Sequence, residues 1–128
     1  MLIHEFITVP FISENMSFSV FNGVKLLRIS DNFILKYHEP IRKVRMYCAG
    51  EGEMIDGLAY HGTTVLDPQM AANLKYELLP FFEKSEECRM LISILTEAIE
   101  QNMYEMVSGG RGFDSAIFTF FVCSGVVV

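Results

Sequence analysis

Basic residues are scarce in this chain: ten Lys and Arg stand against sixteen Asp and Glu, for a net charge of −6. A phosphate backbone demands a basic face, so this balance argues against nucleic acid as the partner. Cysteine is scarce too. Cys48, Cys88 and Cys123 are odd in number, far apart and set among apolar residues, which predicts reduced core thiols. Neither Cys-x-x-Cys spacing nor clustered His is present, so no metal site is assigned. The longest apolar run, Ala116 to Val128, is 13 residues and contains Thr119, Ser124 and Gly125. A spanning helix needs about 20, so no membrane contact is expected. The first residues carry Glu5 and no basic stretch or cleavage site, so they do not form a signal peptide and a cytoplasmic location is expected.

What the chain does have is apolar bulk. Hydrophobic residues make up 51% of its 128 positions, with eleven Phe and eight Met, and the mean hydropathy is +0.30. That length predicts one domain spanning 1–128 with a single core. So small a chain exposes proportionally more surface, and the surplus implies that a partner or a second copy covers part of it. A homodimer or larger assembly is the expectation. Charge is unevenly spread: +2 over residues 1–48, −8 over 49–110 and zero beyond. An acidic half of this kind steers towards a basic protein partner.

The first 66 residues read as strands. Ser17 to Phe21 and Val24 to Ile29 flank Asn22-Gly23, a hairpin signal because both turn residues need positive φ. Ser30-Asp31-Asn32 then turns into a strand at Phe33 to Tyr37, which Pro40 separates from the next. In Ile41 to Cys48, Val44, Met46 and Cys48 alternate with Lys43, Arg45 and Tyr47, the period of a half-buried strand. Gly50-Glu51-Gly52-Glu53 reads as a loop, followed by a strand around Leu58 to Leu66. Asp67-Pro68 opens a helix with a capping acid and a first-position proline, which Pro80 ends near Leu79. Its apolar positions are Ala71, Leu74, Leu78, Phe81 and Phe82. Ser85 caps a second helix, with Glu86 and Glu87 favourable to its dipole and a buried stripe at Cys88, Leu91, Ile92, Leu95, Ala98 and Ile99. Ser108-Gly109-Gly110 punctuates, and Ala116 to Val122 is a last strand, apolar on both faces and therefore central or covered by another subunit. The predicted fold is α+β: a mostly antiparallel sheet of five to six strands with two helices on one face.

Catalytic patterns are few. Tyr60-His61-Gly62-Thr63 is similar to the first motif of diphtheria-toxin-like ADP-ribosyltransferases, in which the His holds the nicotinamide ribose of NAD. That family also needs a second Tyr on a helix and a catalytic Glu on a late strand. About 65 residues follow Thr63, mostly the two helices, and Glu105 is the one late acid in a plausible strand. Too much of the transferase fold is missing, so neither catalytic residues nor a cofactor are assigned. His4, His38 and His61 are isolated, with no nucleophile in a Gly-x-Ser-x-Gly setting. Glu51, Glu53 and Asp56 lie close together but lack the ligand order of an EF-hand. Ser108-Gly109-Gly110-Arg111-Gly112 offers backbone amides and one Arg to an anion, yet it follows a helix C-terminus, where the dipole opposes an anion.

Gly57-Leu58-Ala59-Tyr60-His61-Gly62-Thr63-Thr64-Val65-Leu66-Asp67-Pro68, then Leu91-Ile92-Ser93-Ile94-Leu95-Thr96-Glu97-Ala98-Ile99 and Tyr104, resembles one group of small bacterial immunity proteins over about residues 57–107. Those proteins neutralise the toxins of polymorphic or contact-dependent systems. The resemblance implies a stoichiometric inhibitor with no chemistry of its own, occluding a toxin's active site or an adjacent surface. The acidic surface independently suits a basic partner such as a nuclease. Glu51, Glu53 and Asp56 are the candidate partner-facing acids, and Tyr47 and Tyr60 the candidate aromatic anchors. The competing expectation is an oligomeric small-ligand-binding or sequestering protein whose pocket forms between subunits, with Arg111 and His61 as ligand contacts.

Overall fold

The computed structural model describes residues 6–8, 14–21, 24–111 and 116–123. Its strands are β1 (Phe6–Thr8), β2 (Met16–Phe21), β3 (Val24–Ser30), β4 (Arg45–Cys48), β5 (Glu53–Asp56), β6 (Gly62–Leu66), β7 (Tyr104–Arg111) and β8 (Ala116–Cys123). The helices are α1 (Asp31–Lys36), α2 (His38–Arg42), α3 (Pro68–Leu78) and α4 (Glu86–Glu100). The class is α+β, as the patterning implies. Among the described residues, however, the sheet holds eight strands instead of five to six, in the order β1-β2-β3-β8-β7-β6-β4-β5, and every neighbouring pair is antiparallel.

β8 sits in the interior of that order, between β3 and β7. Its Phe118 and Phe120 are fully buried. Leu27 and Ile29 of β3 pair with them on one side, and Gly109 and Val107 of β7 on the other. This is the face on which α1, α3 and α4 pack. α4 contributes Cys88, Leu91, Ile92, Leu95 and Ala98 to the core, and α3 contributes Ala71, Leu74 and Leu78.

The helix boundaries follow from the signals in the sequence. Asp67 accepts a hydrogen bond from the Met70 amide at 2.8 Å and Ser85 accepts one from the Cys88 amide at 3.2 Å, each satisfying a donor that the first turn leaves orphaned. α3 stops before Pro80, in a 3-10 turn at Leu79–Phe81. α4 ends in a Schellman motif. Asn102 adopts φ +54°, and the amides of Met103 and Asn102 donate to the carbonyls of Ala98 (2.9 Å) and Ile99 (3.2 Å). Cys48 and Cys88 are buried, as expected of core thiols, whereas Cys123 is half-buried, and no disulfide joins the three. β2 and β3 pair with Phe21 opposite Val24, the register of a two-residue hairpin connection; Asn22 and Gly23 lie outside the described residues.

Several elements differ from the sequence expectation. Phe33 to Tyr37 is not a strand but α1 and its C-cap, because Phe33, Tyr37 and Ile41 recur at helical spacing and all three are buried. The Phe33 and Tyr37 rings pack at a tilt of 46° with centroids 4.7 Å apart, and Tyr37 meets Phe81 edge-on at 5.1 Å. Pro40 lies inside α2, so the strand after it starts at Arg45 instead of Ile41. Glu53 opens β5 where a loop was expected, since an edge strand needs no buried face: only Ile55 is even partly covered. Phe82, expected in the core stripe, is exposed.

Gly109 and Gly110 do not form a loop; they lie within β7. The segment before β6 crosses the sheet here, and a Cβ on Gly109 would meet the carbonyl oxygens of Ala59 at 2.7 Å and Tyr60 at 2.9 Å. The Ala59 amide donates to the Thr64 hydroxyl at 3.0 Å, and the Tyr60 ring stands edge-on to Phe118 at 5.3 Å. A Cβ on Gly110 would meet nothing within 4 Å. Gly109→Ala is therefore expected to destabilise the fold by roughly 1–3 kcal/mol, the usual cost of overpacking, while Gly110→Ala stays within about 0.5 kcal/mol of the parent. Urea denaturation of both variants checks this; equal effects would remove the crossing segment as the reason for the glycine.

Candidate functional site

The five residues expected to face a partner do not share one surface. Tyr47 lies on the side of the sheet away from the helices, paired with Met54 and Val65. Asp56 shares that side and opposes Arg45, whose Nε lies 3.9 Å from Asp56 Oδ1. Glu51 is exposed on the turn between β4 and β5. Glu53 pairs with Cys48 and so takes the helix side. Tyr60 also belongs to the helix side, against Phe118. The structure thus joins Tyr47 and Asp56, places Glu51 near them on the hairpin, and separates Tyr60 from the group. Tyr47 lines a depression of about 280 Å³ with Met54, Val65, Met70, Tyr104 and Asp67.

His61 is exposed just ahead of β6 and Arg111 ends β7. Gly62 pairs with Gly109, so the two positions occupy the same end of the sheet; the Arg111 side chain lies outside the described residues. His38 is exposed on α2, and His4 lies outside the described residues. Among the described residues no group of three or more His, Cys, Asp or Glu is placed to hold a metal ion, and no helix is long and apolar enough to cross a membrane.

A surface that the sequence did not signal lies on the outer side of the helical layer. Between α3 and α4 runs a groove of about 590 Å³ with Leu79 and Phe82 at one end, Glu97 and Glu100 at the other, and Lys75 and Arg89 along it. Leu79 is 45% exposed and Phe82 37%. Tyr76, three positions before Leu79 and therefore on the same helix side, is 73% exposed. Arg89 holds the corner in place: Nη1 donates to the Phe82 carbonyl at 2.8 Å, and the guanidinium lies 6.0 Å from the Phe82 ring centre. Glu97 is tied to Lys25 of β3 at 3.3 Å. Residues 67–101, which contain both helices, carry seven acids against three bases. The helix-periodic reading hid this cluster because Phe81 and Phe82 are adjacent and only Phe81 turns towards the core.

Glu105 is the other feature with chemistry in it. It is fully buried on the helix side of β7, between Leu66 and Val122, and neither carboxyl oxygen has a hydrogen-bond partner. Burial, reinforced by the Glu97 charge, pushes its pKa up to about 9, so the side chain is neutral at pH 7. As the late acid of the transferase motif it fails on position. His61 lies five residues along the paired strands from Leu66, opposite Glu105, or roughly 16 Å at ~3.3 Å per residue.

The chain was compared with family models, with curated proteins and with solved structures, and none of the three gives a match.

The Glu105 geometry fixes a pH dependence. In the unfolded chain the carboxyl ionises near 4.5, and in the fold near 9. Between those values the unfolded state binds fewer protons, so stability falls as pH rises, by about 1.4 kcal/mol per unit. The loss begins above pH 4.5 and levels off above 9, reaching on the order of 3 kcal/mol at pH 7. Glu105→Gln removes this slope. The stability difference between variant and parent is expected to shift in the variant's favour from pH 5 to pH 8 in chemical denaturation; parallel curves would refute a neutral buried carboxyl.

Proposed function

We propose that this chain is a non-catalytic binding protein of the immunity type, a stoichiometric inhibitor that seats a basic protein partner on the outer side of its helical layer. The observation that carries the reading is the cluster Tyr76, Leu79 and Phe82, exposed beside the α3–α4 groove. Contiguous exposed aromatic and aliphatic side chains on a small protein mark an interaction surface. Tyr in particular supplies anchor area at low entropic cost. The surrounding acid excess, seven against three over residues 67–101, gives the sign of the partner. Charge complementarity raises the association rate, and the desolvated anchors set the dissociation rate.

Glu51, Glu53 and Asp56 on the β4–β5 hairpin then act at longer range, steering a basic partner without anchoring it. Two sets of variants separate these roles once the partner has been isolated by its stoichiometric association with the full chain. Tyr76→Ala with Phe82→Ala is expected to weaken binding at least tenfold through dissociation, the scale of a lost hot spot. Reversing Glu51, Glu53 and Asp56 to Lys is expected to slow association and flatten its salt dependence with little change in dissociation. Parent chain added at equimolar ratio should abolish the partner's activity. Undiminished partner activity at saturation, or unchanged binding by the Tyr76/Phe82 variant, overturns the proposal.

A further inference from the structure

The opposite side of the molecule carries an equally unusual surface. The face of the sheet away from the helices presents Val24 and Leu26 from β3, Ile117 and Phe121 from β8, and Met106 and Tyr104 from β7. Val24 and Ile117 are exposed, and the other four are half-buried. Among the described residues of the eight strands, charge on this face is limited to Arg28, Arg45 and Asp56. We infer that this open face is the interface through which two copies of the chain pack sheet against sheet about a two-fold axis.

Charge and area select the second copy as the occupant. A chain of net charge −6 approaches its own copy most readily through a surface poor in acids. Here Asp56 faces Arg45 at 3.9 Å and Asp67 lines the depression at one side, its carboxylate capping α3, while six further acids lie within residues 77–100, in the helical layer. A basic partner gains nothing from an almost uncharged face, whereas an identical uncharged face gains the whole apolar burial. With about 4.8 Å between strands and ~3.3 Å per residue, the whole sheet has a footprint on the order of 700 Å², within which Ser19 and Val65 are already covered; a standard interface takes ~800 Å² from each member.

The face is also self-complementary. The middle of the strand order falls between β8 and β7. A two-fold axis there, running along the strands, lays β3 of one copy over β6 of the other. Val24 and Leu26 then lie above the depression of about 280 Å³ lined by Tyr47, Met54, Val65, Asp67, Met70 and Tyr104. Aligned sheets packing about 10 Å apart interdigitate their inner side chains in this way, and the contact is isologous, so the assembly closes as a dimer.

Sedimentation equilibrium of the full chain between 1 and 100 µM tests this. The parent is expected at twice its 14.6 kDa. Phe121→Lys, at the centre, and Val24→Lys, at an exposed position where folding is not at stake, should each raise the dimer dissociation constant roughly a hundredfold, as the loss of a hot spot does. Far-UV circular dichroism reports whether each variant folds, and Val24→Lys alone decides if Phe121→Lys does not. A parent that stays monomeric up to 100 µM overturns the inference, and so does a Val24→Lys dimer of undiminished affinity. The inference is independent of the inhibitor reading: a monomeric Val24→Lys chain should still bind the partner, because the α3–α4 groove lies in the opposite layer.

Discussion

The insertion of β8 between β3 and β7 is the constraint on which the rest of the structure depends. Without it the sheet falls into two parts, β1-β2-β3 and β7-β6-β4-β5, and no other strand pairing among the described residues joins them. Phe118 and Phe120 then lack the Leu27 and Ile29 side of their packing, and α1 and α4 lose the strand on which both rest. The last described strand of the chain therefore closes a sheet whose other members precede it by up to about a hundred residues. Pairings of such sequence separation carry a large loop-closure cost before any contact rewards them. The apolar density of β8 on both faces is what makes the insertion favourable. One face meets the helices, and the other supplies the centre of the open surface.

The sequence disclosed the parts of the fold whose local chemistry and tertiary role agree. Asp67-Pro68 and Ser85-Glu86-Glu87 announced α3 and α4 because a capping oxygen, a first-position proline and first-turn acids have one common explanation. Alternation in β4 and the double-sided β8 were equally readable. Errors arose where the tertiary context decides. Phe33, Ile34 and Leu35 are consecutive apolar residues, which short helix and buried strand share; only Leu35, 58% exposed, breaks the strand reading. Gly109 looked like punctuation, and its real cause is the pair of carbonyls from residues 59 and 60 lying across it. β5 has no apolar face to read because an edge strand of four residues buries almost nothing. Polar, charged edges of this kind also discourage continued strand pairing.

The candidate sites were less legible than the fold. Acids close in sequence read as one patch, but consecutive strand positions point to opposite faces, so Glu53 and Asp56 are sent to different sides of the sheet. Tyr60 and Tyr47 share only their residue type, and the chain path over Gly109 puts Tyr60 on the helix side. The Tyr76, Leu79 and Phe82 cluster needed the corner made by Pro80 to be seen: a helix-periodic reading carries the buried stripe straight through Phe82, whereas the 3-10 turn rotates that ring outward. Glu105 was visible as an acid in an apolar strand, and its physical meaning, a carboxyl kept neutral by burial beneath α4, required the neighbouring elements.

Charge and apolar surface are sorted here with a consistent logic. The molecule has two layers, helical and sheet, and each has an outer surface. The helical one mixes exposed aromatic and aliphatic anchors with excess acid, a combination that favours a basic partner and repels another copy of itself. The sheet one is apolar and nearly uncharged, a combination that tolerates another copy and offers a charged partner little. Glu105, the one acid buried between the layers among the described residues, is neutral, which keeps like charge out of the core at the cost of an unpartnered carboxyl. Two surfaces of opposite character on opposite sides would let the proposed self-association and the proposed partner binding proceed without competing for the same residues. A dimer closed through the sheets would then present its two helical layers outward, so each copy keeps its own groove accessible and a bound partner on one does not obstruct the other.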